Sequence, residues 1–326
     1  MNRLPALVLA LITPVVAELM LGNPPLGQIW LMVFWVPIYG AGTVLIRELV
    51  RRSGRGWGAI LLLGVAYGIV EEGLALQALS SPTLYGVAGW APRVLGLNSA
   101  YTELNLVYHA VFSVALPILL VELLFPRQGT RPYLGKVGLA CAGVVFVLGA
   151  GVLRAMTALF MDPGYTMPLP VLLGCLLAIV LLAVAAFTAK AGNILTKPSP
   201  SPWVVGVVAF VAAFGYMALL FPFGGAEHPA FTSGAWVWLP MGAAAVLAVA
   251  AGLLVRRWAG AHGLALVIGA LIAHSLFGVV ANAATLLDRI WLVALCAVTV
   301  GATTMRRRAL NRGAAATSAP TPARPS

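Results

Sequence analysis

Two adjacent glutamates, Glu71 and Glu72, lie inside a long apolar stretch of the chain. Only 9 of the 326 residues are acidic, so two neighbouring carboxylates in apolar surroundings are unusual. A carboxylate at depth in a bilayer costs several kcal/mol unless it is paired, protonated or hydrated, and such residues mark functional sites by default. These two side chains could exchange protons with a neighbouring imidazole or activate a water molecule.

Histidines and an amide in other apolar stretches could complete such a site. Counted from Arg55 at 1.5 Å per residue, Glu71 lies about 24 Å along its helix, in the outer half of the membrane. His109 falls near the outer start of the next apolar stretch, His274 lies midway along a later one, and Asn282 follows about two turns further out. We therefore predict that these residues converge on the middle and outer half of the membrane.

The geometry of an α-helix limits the directions in which the two glutamates can point. Adjacent residues of an α-helix point about 100° apart, so Glu71 and Glu72 are not expected to face one partner squarely. A second interpretation ends the helix near Val70. The glutamates then lie in the headgroup region and His109 caps a helix start, with no site between them. The sequence leaves both arrangements open.

The composition indicates the class of protein that positions these residues. Hydrophobic residues make up 61% of the chain and charged residues 9%, with a mean hydropathy of +0.98. Several apolar runs reach the length of about 20 residues that a helix needs to cross a bilayer, and they lack the alternation of a membrane β-barrel. We predict an all-α, polytopic membrane protein of about ten transmembrane helices. The predicted spans are 4–22, 28–47, 57–80, 104–125, 134–158, 168–189, 203–222, 235–254, 263–284 and 287–304.

The net charge of +11 follows this topology. Every basic residue except Arg93, Arg154 and Arg289 falls on one side of the predicted spans. This positive-inside pattern places both termini in the cytoplasm. It indicates the lipid bilayer, with anionic lipids at the cytoplasmic face and no nucleic acid, as the partner of the basic residues. The excess of Arg over Lys and the many Ala, Gly and Pro residues are typical of a GC-rich bacterium, so we predict a multi-pass protein of a bacterial inner membrane.

The chain is predicted to divide into a membrane domain and a tail. Residues 1–308 form a single transmembrane helical domain, and residues 309–326, rich in Ala, Thr, Pro and Arg, form a disordered cytoplasmic tail. The first span resembles a signal peptide with a small-residue cleavage site at Ala17, but we expect the span to remain attached.

The other acidic residues in apolar stretches have simpler expected roles. Glu18 and Glu122 lie near the ends of predicted spans and are expected to be interfacial. Glu48 is followed by Arg51 and Arg52 at i+3 and i+4, which are neighbouring positions on a helix surface. We predict structural ion pairs between Glu48 and these two arginines.

The glutamate pair, the histidine of the next span and the histidine near the C-terminus resemble the motifs of the CPBP intramembrane proteases, the CAAX-protease and bacteriocin-processing family. That family carries Glu-Glu-x-x-x-Arg, Phe-x-x-x-His and His-x-x-x-Asn/Asp on transmembrane helices. The resemblance implies a metal-independent endopeptidase without a cofactor, in which one of Glu71 and Glu72 activates a water for attack on a peptide bond. It also implies that His109 assists, and that His274 with the amide of Asn282 stabilises the oxyanion.

Three motif positions depart from the family pattern. Leu76 stands at the arginine position, Asn105 at the phenylalanine position and Gly278 at the Asn/Asp position. These departures are typical of a divergent or inactive relative that handles membrane-bound peptides. The same carboxylates also fit a proton- or ion-coupled transporter, although no internal repeat is visible. A non-catalytic scaffold subunit is the third class that the sequence leaves open.

Overall fold

The computed structural model describes residues 3–89, 91–188, 200–221 and 234–317. Within these residues the chain is helical except for connecting turns and one two-stranded antiparallel hairpin, formed by β1 (Arg93–Val94) and β2 (Leu97–Asn98). The predicted all-α, polytopic class is confirmed.

The regular elements of the described part fall into α-helices, π-helical segments and 3₁₀ segments. The α-helices are α1 (Leu4–Ala17), α2 (Met32–Trp35), α3 (Ala41–Arg52), α4 (Trp57–Gly68), α5 (Ser99–Tyr108), α6 (Leu116–Leu124), α7 (Lys136–Met156), α8 (Leu169–Thr188), α9 (Pro202–Leu220), α10 (Trp238–Ala281) and α11 (Leu286–Thr317). The π-helical segments are Val36–Gly40, Ile69–Ala75, His109–Ala115 and Thr157–Met161. The 3₁₀ segments are Leu19–Leu21, Leu26–Leu31, Leu84–Gly89 and Gly234–Val237.

Many of these elements join end to end into stretches that could cross a membrane. Among the described residues, 9 stretches have the length and hydropathy of a span: Leu4–Leu21, Leu26–Arg52, Trp57–Ala75, Ser99–Leu124, Lys136–Met161, Leu169–Thr188, Pro202–Leu220, His262–Ala281 and Leu286–Leu310. The first part of α10, Trp238–Leu253, is a shorter apolar helix at the position of the predicted eighth span. The backbone of α10 leaves helical geometry at His262, which separates its two apolar parts.

The first, third and fourth spans form the centre of the bundle. In the most apolar window of each, 61%, 67% and 67% of the residues are buried, compared with 6% in the fifth span and 11% in the sixth. Apolar side chains on these outer helices, such as Val147 and Leu177, are exposed. Lipid tails are as apolar as such side chains, so the outer helices can face lipid. Two of these three central spans, the third and the fourth, carry the glutamate pair and His109.

A glycine allows α4 to approach the fourth span closely. A Cβ atom added at Gly64 would lie 2.7 Å from the Cα atom of Ala110 and 3.2 Å from its Cβ atom. A separation of 2.7 Å is too short for two carbon atoms that are not bonded to each other. Any larger residue at position 64 must therefore push the two helix backbones apart. The contact lies one residue from His109, and the glycine therefore sets the separation of the two helices that carry the candidate site.

We expect Gly64→Ala to lower the free energy of unfolding by about 1–3 kcal/mol, the usual cost of overpacking a core. Gly58→Ala is the matched control on the same helix, because a Cβ atom there meets nothing within 4 Å. Thermal unfolding of the purified variants in detergent measures both. A loss of stability in the control equal to that of Gly64→Ala would contradict the close-approach argument.

A buried ion cluster centred on Glu48 closes the end of the bundle at which α3 ends. The Glu48 carboxylate lies 3.3 Å from Arg47 and 3.3 Å from Arg52. It also accepts the backbone N–H groups of Tyr133 and Leu134 at 2.6 and 3.2 Å. The carboxylate thus joins two arginines of α3 to the loop before α7.

The predicted pairing of Glu48 with Arg51 is wrong, whereas its pairing with Arg52 is confirmed. Arg51 instead donates two hydrogen bonds of 2.9 Å to the carboxylate of Glu122 on α6. A planar guanidinium matches a carboxylate in this two-pronged geometry, which gives a stronger contact than a single-pronged pair on one helix. Glu122, expected to be interfacial, is therefore an ion-pair partner between α3 and α6.

The segment between the third and fourth spans is fastened by polar contacts. Asp162 accepts hydrogen bonds from Ser81 at 2.5 Å and from Thr83 at 2.6 Å. The amide oxygen of Gln77 accepts the backbone N–H of Met167 at 3.0 Å. These contacts tie the start of this segment to the turn between the fifth and sixth spans.

The last helix extends beyond the predicted membrane domain. Helix α11 continues to Thr317, into the segment 309–326 that was expected to be a disordered tail. The final part of that segment, 318–326, lies outside the described residues.

Candidate functional site

Three π-helical segments carry the polar side chains of one buried cluster. The segment in the second span carries Tyr39, that in the third carries Glu71 and Glu72, and that in the fourth carries His109 and Ser113. A π-helical turn inserts a residue into an α-helix and changes the directions of the side chains around it. Such turns are rare and occur frequently at functional sites.

The centre of the cluster is the imidazole of His109, which lies between two carboxylates. Its Nε2 atom is 3.2 Å from Oε1 of Glu72, and its Nδ1 atom is 3.4 Å from Oε2 of Glu71. All three residues are buried, with 2%, 6% and 2% of the surface of His109, Glu72 and Glu71 exposed. The helical stretch continues to Ala75, so the glutamates lie within the third span and not beyond its end.

The two glutamates, which were not expected to face one partner squarely, contact the same imidazole on different edges. Glu71 and Glu72 diverge along the helix, yet each reaches a different ring nitrogen of His109. An imidazole presents two nitrogens on separate edges of the ring and can therefore meet two side chains that point apart. The divergence is accommodated by the geometry of the partner.

Neighbouring hydroxyl groups complete the contacts of Glu72 and His109. Tyr101 donates a hydrogen bond of 2.9 Å to Oε2 of Glu72. The Ser113 hydroxyl shares a hydrogen bond of 2.9 Å with Nδ1 of His109. If the Nε2 proton is donated to Glu72, the Nδ1 atom of the neutral ring accepts from Ser113. The orientation of the imidazole is thus set from both sides.

Glu71 differs from Glu72 in the groups that surround its carboxyl group, which are His109, Tyr39 and Tyr67. Tyr39 and Tyr67 both interact electrostatically with the Glu71 carboxyl group. However, neither Oε2 of Glu71 nor the hydroxyl of Tyr67 makes a hydrogen bond of regular geometry with another described residue. Buried polar atoms are normally hydrogen-bonded. The hydroxyl of Tyr67 and the carboxyl group of Glu71 therefore lie against each other at the centre of the cluster.

Glu18 also belongs to this cluster, although it was expected to be interfacial. It is 7% exposed, and its carboxylate accepts a hydrogen bond of 2.5 Å from Tyr39 and one of 3.1 Å from the Asn23 side chain. The Tyr39 ring in turn lies 6.1 Å from the His109 ring, centroid to centroid. Glu18 and the tyrosines were missed by sequence reasoning, and the only available signal for Glu18 was the rarity of acids in apolar stretches.

His274 lies behind His109 and does not meet the glutamates in the described contacts. Its Nε2 atom is 2.8 Å from the hydroxyl of Tyr108, the residue that precedes His109. Its ring stacks on Phe112 with the centroids 4.4 Å apart. The hydroxyl of Tyr108 also donates to the backbone carbonyl of Ala17. His274 is therefore connected to the cluster through Tyr108.

Asn282 has a structural contact instead of a place at the glutamates. Its side-chain amide donates a hydrogen bond of 2.8 Å to the backbone carbonyl of Leu21. The contact ties the end of α10 to the turn that follows α1. Of the residues predicted to converge, Glu71, Glu72 and His109 are in contact. Asn282 instead lies at the junction between α10 and the turn after α1.

The charges of the cluster are unbalanced. Glu18, Glu71 and Glu72 contribute three carboxyl groups, and in the described part of the chain no ion pair joins any of them to an Arg or Lys. One imidazolium can compensate one carboxylate. At low dielectric the others must hold protons or receive strong hydrogen bonds. Among the described residues, no group of three His, Cys, Asp or Glu side chains has the arrangement of a metal site. The cluster can hold and transfer protons.

Comparisons with known proteins identify the family and no activity. Residues 7–309 match the model of an uncharacterized membrane protein family. No curated protein and no solved structure matches the chain.

Proposed function

Since the chain belongs to this uncharacterized membrane protein family, whose description names no reaction, we propose an activity for this integral membrane protein from the cluster itself. It is an intramembrane endopeptidase, a divergent relative of the CPBP proteases, that hydrolyses peptide bonds of membrane-bound substrates. The observation that supports this proposal is the imidazole of His109 held between the carboxylates of Glu71 and Glu72 at 3.4 and 3.2 Å. The distance to Glu72 is within the reach of a hydrogen bond, as an acid–base pair requires, and Glu71 lies only slightly further from the ring.

Glu71 is the general base in this proposal. Its Oε2 atom is buried and lies 3.4 Å from Nδ1 of His109, so it can take a proton from a water molecule and pass it to the imidazole. Glu72 is held by Tyr101 and by His109 and orients the imidazole. The two carboxylates therefore have different roles in the same site, as their different surroundings require.

The reaction is a hydrolysis that consumes one water. The water oxygen bonds to the carbonyl carbon of the substrate while Glu71 takes one of its protons. The C–N bond then breaks, and the proton passes through His109 to the leaving amine. The products are a new carboxyl terminus and a new amino terminus.

The negative charge that develops on the carbonyl oxygen needs a hydrogen-bond donor. The Tyr67 hydroxyl is the candidate, because it is a buried donor that lies against the carboxyl group of Glu71. The resemblance to the CPBP family implied His274 and Asn282 for this role. Their contacts to Tyr108 and Leu21 make Tyr67 the better choice.

The proposal is tested by the new amino termini that the protein produces in membranes. Wild type and the Glu71→Gln/Glu72→Gln double variant are expressed at equal levels in a bacterial host, and the amino termini of membrane proteins are quantified by mass spectrometry. We expect a set of termini that is present with the wild type and absent with the double variant. Glu103→Gln is the matched control, because Glu103 lies in the fourth span and has no contact with Glu71 or Glu72 among its described contacts. Identical termini in all three strains would overturn the proposal.

A proton-coupled transporter is the second candidate, and the connection of Glu18 to Tyr39 favours it. This connection extends the titratable groups beyond the Glu71–His109 pair, as a proton pathway requires. A transporter predicts proton flux across liposomes that the double variant abolishes, without new amino termini in membrane proteins. The two assays thus separate the candidates. A scaffold subunit predicts neither signal.

We place the protein in a bacterial inner membrane with both termini in the cytoplasm. The basic residues on one side of the spans support this orientation. The arginine-rich end of α11, at Arg306, Arg307 and Arg308, suits contact with anionic headgroups on that side.

A further inference from the structure

Buried contacts close the candidate site toward the end of the bundle at which α3 ends. The Thr43 hydroxyl donates a hydrogen bond of 2.7 Å to the backbone carbonyl of Ser113, whose own hydroxyl contacts His109. Arg47 lies one turn further along α3 and contacts Glu48 at 3.3 Å. Thr43, Arg47 and Glu48 each have 0% of their surface exposed. Two buried polar layers thus separate His109 from that end of the bundle.

Two chains of contacts connect the cluster with exposed residues at the other end of the bundle. One runs from Glu18 to the side chain of Asn23, which is exposed. The other runs from Glu72 to the hydroxyl of Tyr101, whose ring centroid lies 6.5 Å from that of Tyr85. Tyr85 is 53% exposed, compared with 7% for Tyr101 and 6% for Glu72. Glu72 is therefore two aromatic rings away from the surface, at the end of the bundle opposite the buried ion cluster.

Tyr85 has an unusual backbone conformation and few side-chain contacts. Its φ angle is 58°, and that of the following Gly86 is 65°. The left-handed region is uncommon for a bulky residue, and residues held there cluster at binding sites and switch regions. The ring of Tyr85 packs on Tyr101, and its hydroxyl makes no hydrogen bond with another described residue. The Arg93 guanidinium fixes the surrounding segment by donating to the backbone carbonyl of Ser80 at 2.6 Å, so the Tyr85 side chain can turn away while the segment stays in place.

We propose that the site admits its substrates at the end of the bundle opposite Arg47, the extracytoplasmic end in the proposed orientation, and that Tyr85 and Tyr101 form the entrance. The substrates are membrane-anchored proteins with an extended segment next to the outer end of their transmembrane helix. Peptide groups inside a helix are hydrogen-bonded to one another, whereas an extended segment exposes its peptide bonds. An apolar or aromatic side chain of this segment takes the place of Tyr85 on the Tyr101 ring. The substrate class rests on the proposed function, whereas the entrance does not.

Thiol labelling from each side of the membrane tests the entrance without requiring cleavage. The three native cysteines are replaced with alanine, and Glu72→Cys then places a single thiol in the site. A membrane-impermeant methanethiosulfonate is added to sealed vesicles of either orientation. Arg127→Cys, at an exposed position beyond α6, reports the side of the buried ion cluster. We expect Glu72→Cys to react from the side opposite to Arg127→Cys.

Removing the Tyr85 ring should speed this labelling. We expect Tyr85→Ala to raise the rate at Glu72→Cys roughly two- to tenfold, the factor that corresponds to the usual stability of an aromatic pair. Leu95→Ala is the matched control, because Leu95 is also left-handed, with a φ angle of 52°, and is 90% exposed in the same segment. Labelling from the Arg127 side, no labelling from either side in the folded variant, or a rate unchanged by Tyr85→Ala would overturn the entrance.

The positions of the cuts test the substrate class. In the comparison of wild type with the Glu71→Gln/Glu72→Gln variant, we expect the new amino termini to lie next to the extracytoplasmic ends of transmembrane spans. Cuts at the cytoplasmic ends of spans would overturn this substrate class. If the wild type produces no new termini at all, the proposed function fails, and the labelling still decides where the site opens.

Discussion

Replacing His109 with phenylalanine is expected to abolish activity and to destabilise the protein. The imidazole lies between Glu71 and Glu72 at 3.4 and 3.2 Å, so its removal leaves two carboxyl groups in the core without their shared partner. Breaking a buried ion pair by removing one member costs about 3–5 kcal/mol. If the protein is the proposed peptidase, loss of this acid–base group is expected to lower the cleavage rate by about a hundred- to ten-thousand-fold.

Making His109→Phe in a variant without the two carboxylates distinguishes the loss of the His109–glutamate contacts from a simple packing defect. In the Glu71→Gln/Glu72→Gln variant no carboxylate is left for His109 to compensate. We expect His109→Phe to cost much less stability there, because residues that interact directly do not contribute additively. Thermal unfolding of the wild type, the two parent variants and the triple variant measures the coupling. Equal costs of His109→Phe in both backgrounds would show that the imidazole and the carboxylates do not interact.

The second large effect is expected at Arg47, at the opposite end of the bundle. Its side chain is fully buried and contacts Glu48 at 3.3 Å and Glu122 at 3.2 Å. It also donates to the backbone carbonyls of Gly129 at 2.7 Å and Arg131 at 3.2 Å. Arg47→Met leaves both carboxylates without this cation and removes the donor from two carbonyls. We expect a loss of about 3–5 kcal/mol in the free energy of unfolding.

Arg52→Met is the matched control for this prediction. Arg52 contacts the same carboxylate, Glu48, at 3.3 Å, but 29% of its side chain is exposed. After Arg52→Met, Glu48 keeps Arg47 and the backbone N–H groups of Tyr133 and Leu134, so we expect a smaller loss of stability than for Arg47→Met. Equal losses in the free energy of unfolding for Arg47→Met and Arg52→Met would show that the burial of Arg47 does not determine its contribution to stability. Thermal unfolding in detergent provides both values.

Hydropathy predicted most of the spans and placed Glu71, Glu72 and His109 at a similar depth, but it left open whether these residues meet. These predictions depend on depth, which is proportional to residue number along a helix. The pairing of Glu48 with Arg52 was predictable for a similar reason, since residues at i and i+4 are neighbours on one helix. The helix geometry alone determines such relations.

The direction of side chains between helices could not be predicted in this way. Glu18 was expected to be interfacial because it lies near the end of an apolar run, but the 3₁₀ turn after α1 leaves its side chain inside the bundle. Asn282 has a suitable depth and nevertheless contacts Leu21. The rotation of a helix about its axis depends on packing with distant segments, and a single apolar pattern does not encode it. The π-helical turns that bring Tyr39 and Glu71 together have no sequence signal in hydropathy either.

The most direct test of the proposed peptidase follows the oxygen atom of the water. Purified wild type is reconstituted into liposomes with an extract of membrane proteins in water enriched in a heavy oxygen isotope, and the new carboxyl termini are analysed by mass spectrometry. The proposal predicts that each new carboxyl terminus carries a heavy oxygen atom and that the Glu71→Gln/Glu72→Gln variant produces none. The absence of new labelled termini with the folded wild type, or their persistence with the double variant, would contradict the assignment of this site as a peptidase.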